Sequence, residues 1–319
     1  MPINEGGNRP VSASTPVLSL SPVVLSAPGR AVDLQMRVSA PVTGGQLPII
    51  LLSHGHGRSN NLSSLNGYGP LANFWAAHGF VVIQPTHLSS KTLSLDPKTP
   101  GAPLFWRSRV EDMKCILDQL DAIEASFPEI KGRLDRNRVA VVGHSMGGQT
   151  ASMLLGARLT DPEDGTEVDL AEPRIKAGVL LTPPGNGGAD LSAFAAEHYS
   201  FFLKPSYAEM TTPALVVAGD NDVSPHLTVR GADWHADPYF LSTGPKSLLT
   251  LFGAGHGLGG VSGYDVAETT DESPERVAAV QRLTWAYLRT ALYPEDSAWS
   301  AACASLMDSP NPLGRVESK

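Results

Sequence analysis

The decapeptide Val139 to Gly148, VAVVGHSMGG, leaves this chain few folds to choose from. Four strand-forming residues run into Gly143-His144-Ser145-Met146-Gly147, and residues of helical character run out through Leu155. A G-x-S-x-G pentapeptide arises by chance in roughly one chain of this length in ten, so the strand before it and the helix after it carry the argument. A sharp strand-to-helix turn holds a serine hydroxyl clear of a sheet, and glycines flank it because the backbone there has no room for a Cβ. Such a serine is a nucleophile only with a base to take its proton, an acid to orient the base, and donors for an oxyanion.

At 319 residues the chain could be one large α/β domain or two small ones. A formal charge of −8 argues against nucleic acid or an anionic membrane surface as partner. No apolar run approaches the roughly 20 residues of a membrane span. The start, MPINEGGNRP, lacks a signal-peptide pattern, so the sequence predicts a cytoplasmic protein. Cys115 and Cys303 have no metal-ligand spacing and read as two free thiols. Oligomeric state is not legible.

Strand patterns fall at 23–25, 32–38, 48–53, 80–84, 139–142, 177–181, 214–218 and 247–252. The 32–38 segment alternates with period two, as a half-buried antiparallel strand does, whereas 48–53 is continuously apolar, as a central parallel strand is. Between them lie helical patterns at 71–78, at 110–123 through Val110, Met113, Ile116, Leu117, Leu120 and Ile123, and from Ser273-Pro274-Glu275 onward, an N-cap followed by proline. The alternation predicts an α/β fold: one doubly wound, mostly parallel sheet with helices on both faces. The expected organisation is a flexible leader over 1–20, one domain over 21–293 and a C-terminal tail over 294–319. Residues 86–106 and 183–212 follow strands and should lie at the carboxyl edge, where open α/β sheets bind ligands. The second is too short for a large cap domain.

With Ser145 as nucleophile, such a fold orders its partners Ser, Asp/Glu, His along the chain. His256 stands directly after the last strand, in Gly255-His256-Gly257, while His226 and His235 follow the acid loop too closely and read as surface or pocket-lining groups. The acid loop after Ala218 offers Asp220 and Asp222. Asp222, three residues past Gly219, suits the arm facing the histidine, and Asp220 suits turn hydrogen bonds. The oxyanion donors expected by position are the Met146 amide and, from Ser53-His54-Gly55-His56-Gly57, the His56 amide. His54 and His56 lie two apart with no third ligand nearby, so no metal site is expected. Phe105, Trp106, Trp234, Tyr239 and Phe240 fall on loops near the same edge, as an apolar pocket or as packing.

From about Val23 to Leu292 the sequence resembles the α/β-hydrolase superfamily. Leu52-Ser53-His54-Gly55-His56-Gly57, Ala76-Ala77-His78-Gly79-Phe80-Val81-Val82 and Gly143-His144-Ser145-Met146-Gly147-Gly148 resemble the branch of chlorophyllases, platelet-activating-factor acetylhydrolases and cutinase-like polyesterases. The resemblance implies cofactor-independent hydrolysis of a small-molecule carboxylic ester with an apolar moiety, with Ser145, Asp222 and His256 as triad and His56 and Met146 as oxyanion donors. The same triad could serve a lactonase, acyltransferase or perhydrolase, and the fold also occurs as a non-catalytic binding protein. Position 145 is not the cysteine of dienelactone hydrolases, and Cys303 has no neighbour for the C-terminal disulfide of secreted polyesterases.

Overall fold

The structure, a computed structural model, describes residues 14–319. The expected leader therefore lies outside the described residues over 1–13, and from Val17 the chain is already a strand. In chain order the elements are β1 (Val17–Leu25), β2 (Leu34–Pro41), β3 (Leu47–Ser53), α1 (Gly69–Ala77), β4 (Val81–Pro85), α2 (Trp106–Asp118), α3 (Leu120–Ser126), β5 (Leu134–His144) and α4 (Met146–Leu154). There follow β6 (Arg158–Thr160), β7 (Glu167–Val168), β8 (Ile175–Leu181), α5 (Ala193–His198), β9 (Pro205–Ser206), β10 (Ala214–Gly219), α6 (Asp237–Leu241), β11 (Lys246–Leu251), α7 (Pro274–Leu292), α8 (Ala298–Met307) and β12 (Gly314–Ser318).

Nine strands form one sheet in the order β1-β2-β4-β3-β5-β8-β10-β11-β12. From β4 to β11 every neighbouring pair is parallel, and β1, β2 and β12 are antiparallel additions at the two edges. The mostly parallel, doubly wound sheet expected from the alternation is thus observed. The central strands are apolar without a break because each face is covered. Their side chains alternate between two cores: Ile49, Leu51, Val139 and Val141 point into the layer with α2, α3 and α4, whereas Ile50, Leu52, Ala140 and Val142 meet α1 and α7. No helix among the described residues is long and apolar enough to cross a membrane.

Three segments differ from the sequence pattern. The helix expected over 110–123 is two helices, broken at Gln119, whose backbone sits at φ −118° and ψ 28°. Residues 183–212 carry α5 and β9, and β9 pairs with β6 in a small second sheet β7-β6-β9. Residues 294–319, expected as a tail, form α8 and β12. The Trp299 ring stands edge-on to Tyr287 of α7 at 5.3 Å, and β12 hydrogen-bonds along the open edge of β11. An unpaired parallel edge strand leaves a row of N–H and C=O groups without partners, which β12 supplies.

Candidate active site

The carboxyl ends of β3, β5, β10 and β11 share one edge of the sheet because the strands are parallel, and each is followed by a candidate residue. β5 ends at His144, α4 starts at Met146, and Ser145 alone makes the turn, at φ 55° and ψ −120°. That left-handed backbone is strained for a residue with a Cβ, and the surrounding glycines make it feasible. A Cβ on Gly143 would overlap the Gly147 carbonyl, and one on Gly147 would overlap the Ser53 carbonyl of β3. The Ser145 amide is anchored on the Leu181 carbonyl at 2.9 Å.

Asp222 is buried on the loop after β10, and its Oδ2 accepts from His256 Nδ1 at 2.9 Å. Burial by itself would raise the Asp222 pKa, but the neighbouring His256 and His235 reverse this and hold the carboxyl well below the usual range. Asp220 is exposed, and its Oδ1 accepts from the Gly253 amide at 2.6 Å, tying the acid loop to the histidine loop. Ser145 and His256 line one cleft of about 40 Å³, with His56, Leu62, His144, Ser262, Val266 and Glu268. No hydrogen bond joins the Ser145 hydroxyl to the imidazole in this structure; catalytic contacts of this kind often tighten only with substrate bound. Among the described residues the His56 and Met146 amides have no acceptor.

Three residues that sequence reasoning passed over hold this arrangement. His235, expected at the surface or lining a pocket, is buried: its Nδ1 donates to the Pro183 carbonyl at 2.8 Å and its Nε2 lies 3.2 Å from Asp222 Oδ2. The carboxylate thus sits between two imidazoles. Asp222, His235 and His256 are also the one group of three potential metal-ligating residues among the described residues, though Asp222 Oδ2 already accepts from His256 Nδ1 at 2.9 Å. His144, the second residue of the pentapeptide, donates from Nε2 to the His256 carbonyl at 2.8 Å and accepts at Nδ1 from the Tyr68 hydroxyl at 2.8 Å. The Tyr68 oxygen in turn accepts from the Gly55 amide at 2.9 Å, so one chain of bonds spans from the β3 loop to the histidine loop. Burial depresses the His144 pKa to about 3, which keeps the ring neutral and fixes these donor and acceptor roles. Only tertiary proximity reveals such partners: Tyr68 and His144 are 76 residues apart.

Of the two HGHG histidines, His54 has both ring nitrogens engaged within the protein. It is buried, with Nδ1 on the Gly55 carbonyl at 2.7 Å and Nε2 accepting from the His87 amide at 3.0 Å. The aromatics do not line the cleft. Trp234 is fully buried and donates to the Asn186 carbonyl at 2.8 Å, Trp106 stacks on Phe201, and Phe240 is exposed. Phe105 and Trp106 instead border a separate cavity of about 700 Å³ beside Arg30 and Glu111.

Residues 49–313 match the model of the alpha/beta hydrolase family. The sequence is 27% identical over 184 residues to Cutinase 1 of Thermobifida cellulosilytica, covering 57% of this chain and 51% of that protein. It is 27% identical over 184 residues to a cutinase of Thermobifida fusca, covering 57% and 44%. It is 28% identical over 197 residues to a bis(hydroxyethyl) terephthalate hydrolase of Streptomyces coelicolor, covering 61% and 46%. The chain spans about half the length of these curated relatives. With the family model matched from within β3 to the residue before β12, the chain belongs to the alpha/beta hydrolase family.

Proposed function

We propose that the chain is a carboxylic ester hydrolase that works through an acyl-enzyme on Ser145. His256 takes the Ser145 proton as Oγ attacks the ester carbonyl, the carbonyl oxygen becomes an oxyanion facing the His56 and Met146 amides, and His256 returns the proton to the departing alcohol. Water then attacks the acyl-enzyme by the same route, releasing the acid. Asp222 fixes the His256 tautomer with the proton on Nδ1 and stabilises the imidazolium. The reading is carried by one observation: Asp222 Oδ2 lies 2.9 Å from His256 Nδ1 while His256 shares a cleft with a serine on a strained strand-to-helix turn. The names of the relatives, cutinases and a terephthalate ester hydrolase, support an ester as the bond attacked.

A cleft of about 40 Å³ holds the scissile group and little more, far below the several hundred Å³ of an enclosing small-molecule pocket. The bulk of the substrate therefore rests on the open rim, with the Leu62 and Val266 side chains offering an apolar wall next to the serine. The test is labelling with an alkyl fluorophosphonate, followed by hydrolysis of nitrophenyl esters of graded acyl length. Wild-type protein should form a Ser145 adduct and turn over the esters. An unlabelled folded protein, or a Ser145→Ala variant with undiminished turnover, refutes the proposal.

A further inference from the structure

Beneath the cleft lies a buried charge that the mechanism above does not use. Arg109, on α2, is fully buried, yet no carboxylate hydrogen-bonds to it. Its Nε donates to Thr150 Oγ1 at 3.2 Å, one Nη to Ser89 Oγ at 2.5 Å, and the other Nη to the His54 carbonyl. The Asp112 carboxylate, one turn on, is occupied by Arg30 and His87 instead. Burial pulls the Arg109 pKa down to about 9, which still leaves the guanidinium charged at neutral pH. Desolvating an ion so completely is unfavourable unless its contacts are well formed.

Those contacts reach both expected oxyanion donors. On one side, the His54–Gly55 peptide is gripped at both ends, its carbonyl by Arg109 and its N–H by Tyr68. The His54 ring then donates from Nδ1 to the Gly55 carbonyl. That carbonyl belongs to the same peptide unit as the His56 N–H, and in a trans peptide the two point in opposite directions. Holding the carbonyl against the buried ring turns the His56 N–H the other way, and His56 lines the cleft. On the other side, Thr150 Oγ1 accepts from Arg109 and donates to the Met146 carbonyl at 3.1 Å, fixing the first turn of α4 that carries the Met146 N–H. A second, wholly buried Ser-His-Asp chain braces the assembly: Ser53 Oγ lies 2.9 Å from His87 Nε2, and His87 Nδ1 lies 2.8 Å from Asp112 Oδ2. Its His87 backbone N–H is what holds the His54 ring in place.

We propose that Arg109 is a positioning residue of the oxyanion hole: it sets the His56 and Met146 amides at once and holds a positive charge beneath them. This rests on the ester-hydrolase reading. Because the donors act on the tetrahedral intermediate and not on the ground-state ester, the role appears in kcat and in the affinity of a tetrahedral adduct. The experiment measures nitrophenyl butyrate kinetics and inhibition by butylboronic acid, whose adduct on Ser145 places a negative oxygen in the hole. In Arg109→Met, kcat should fall about 100-fold with KM within about threefold, and boronate inhibition should weaken about 100-fold in step. Arg109→Lys keeps the charge without the fork and should fall between. Thr150→Val removes one contact at nearly constant volume and should lose about tenfold in kcat, which serves if Arg109→Met does not fold. A folded Arg109→Met or Thr150→Val with unchanged kcat and boronate affinity overturns the proposal. So does a kcat loss with boronate affinity intact, which marks a purely structural residue. Wild-type protein that cleaves no ester and binds no boronate would remove the hydrolase reading, and this inference with it.

Discussion

Three fully buried neutral histidines should make this protein acid-sensitive well above the pH at which carboxylates titrate. His54, His87 and His144 are all buried, and burial, with the Arg109 charge next for His54 and His87 and the neighbouring His256 next for His144, lowers their pKa values well below 6.5. In the unfolded chain they bind protons near pH 6.5, in the folded chain they do not, so their contribution is intact above that pH and lost as pH falls through it. At pH 5.5 each should cost a little over about 1 kcal/mol relative to pH 7.5, or about 4 kcal/mol for the three. Asp112 opposes them: burial raises its pKa to about 6 despite Arg30, so the folded state gains a proton there over the same range, which returns about 1 kcal/mol. The net loss of about 3 kcal/mol is a large part of a typical domain stability of 5–15 kcal/mol. Guanidinium unfolding at pH 7.5, 6.5 and 5.5 measures it directly. A His144→Asn variant, with one titrating ring fewer, should have a shallower pH slope. Stability that changes by less than about 1 kcal/mol across that interval would refute the assignment of these rings as neutral and buried.

Replacing the acid, Asp222→Asn, should lower kcat by about 10³- to 10⁴-fold, because an amide can support the wrong His256 tautomer; steady-state ester kinetics on protein with native near-UV dichroism checks this. Glu268 lines the cleft as a carboxylate whose pKa is lowered: burial opposes ionisation, but backbone N–H donors led by Ser59 prevail. Glu268→Gln should therefore improve kcat/KM for an anionic ester such as a succinate half-ester by about tenfold relative to a neutral one, and an equal effect on both would refute a charge-based selectivity. Gly147→Ala should destabilise by about 3 kcal/mol in thermal or chemical unfolding, because its Cβ would overlap the Ser53 carbonyl. Gly45→Ala, where a Cβ meets nothing within 4 Å, should change little.

The serine turn was legible because it is local: strand, glycines and helix follow one another in the chain, and steric exclusion at Gly143 and Gly147 requires just those residues. The parallel strands could be read for a related reason, since burial on both faces demands unbroken apolar runs. The N-cap at Ser273 was equally local, and its hydroxyl accepts from the Arg276 amide at 3.2 Å. The pairing of His256 with Asp222 followed from strand order, and the structure sets these two residues within hydrogen-bond distance.

What the sequence left open depends on contacts between distant segments. Arg109 and Asp112 stood inside the apolar stripe of α2, one turn from Met113 and Ile116, and a charge at a core-facing position was a signal that periodicity alone did not explain. The edge strand β12 carried no strong apolar pattern, because an edge strand is half exposed and gains its stability from backbone bonds to β11. The sequence by itself therefore determined the sheet, the serine turn and the order of the candidate triad, all of which follow from local sterics and burial. Tertiary structure alone decided that His235 shares Asp222, that Tyr68 and His144 join the β3 loop to the histidine loop, and that Arg109 bonds to the segments carrying both candidate oxyanion donors. Buried hydrogen bonds are satisfied by whichever groups the fold brings within 3 Å, and the separation of those groups along the chain places no limit on that choice.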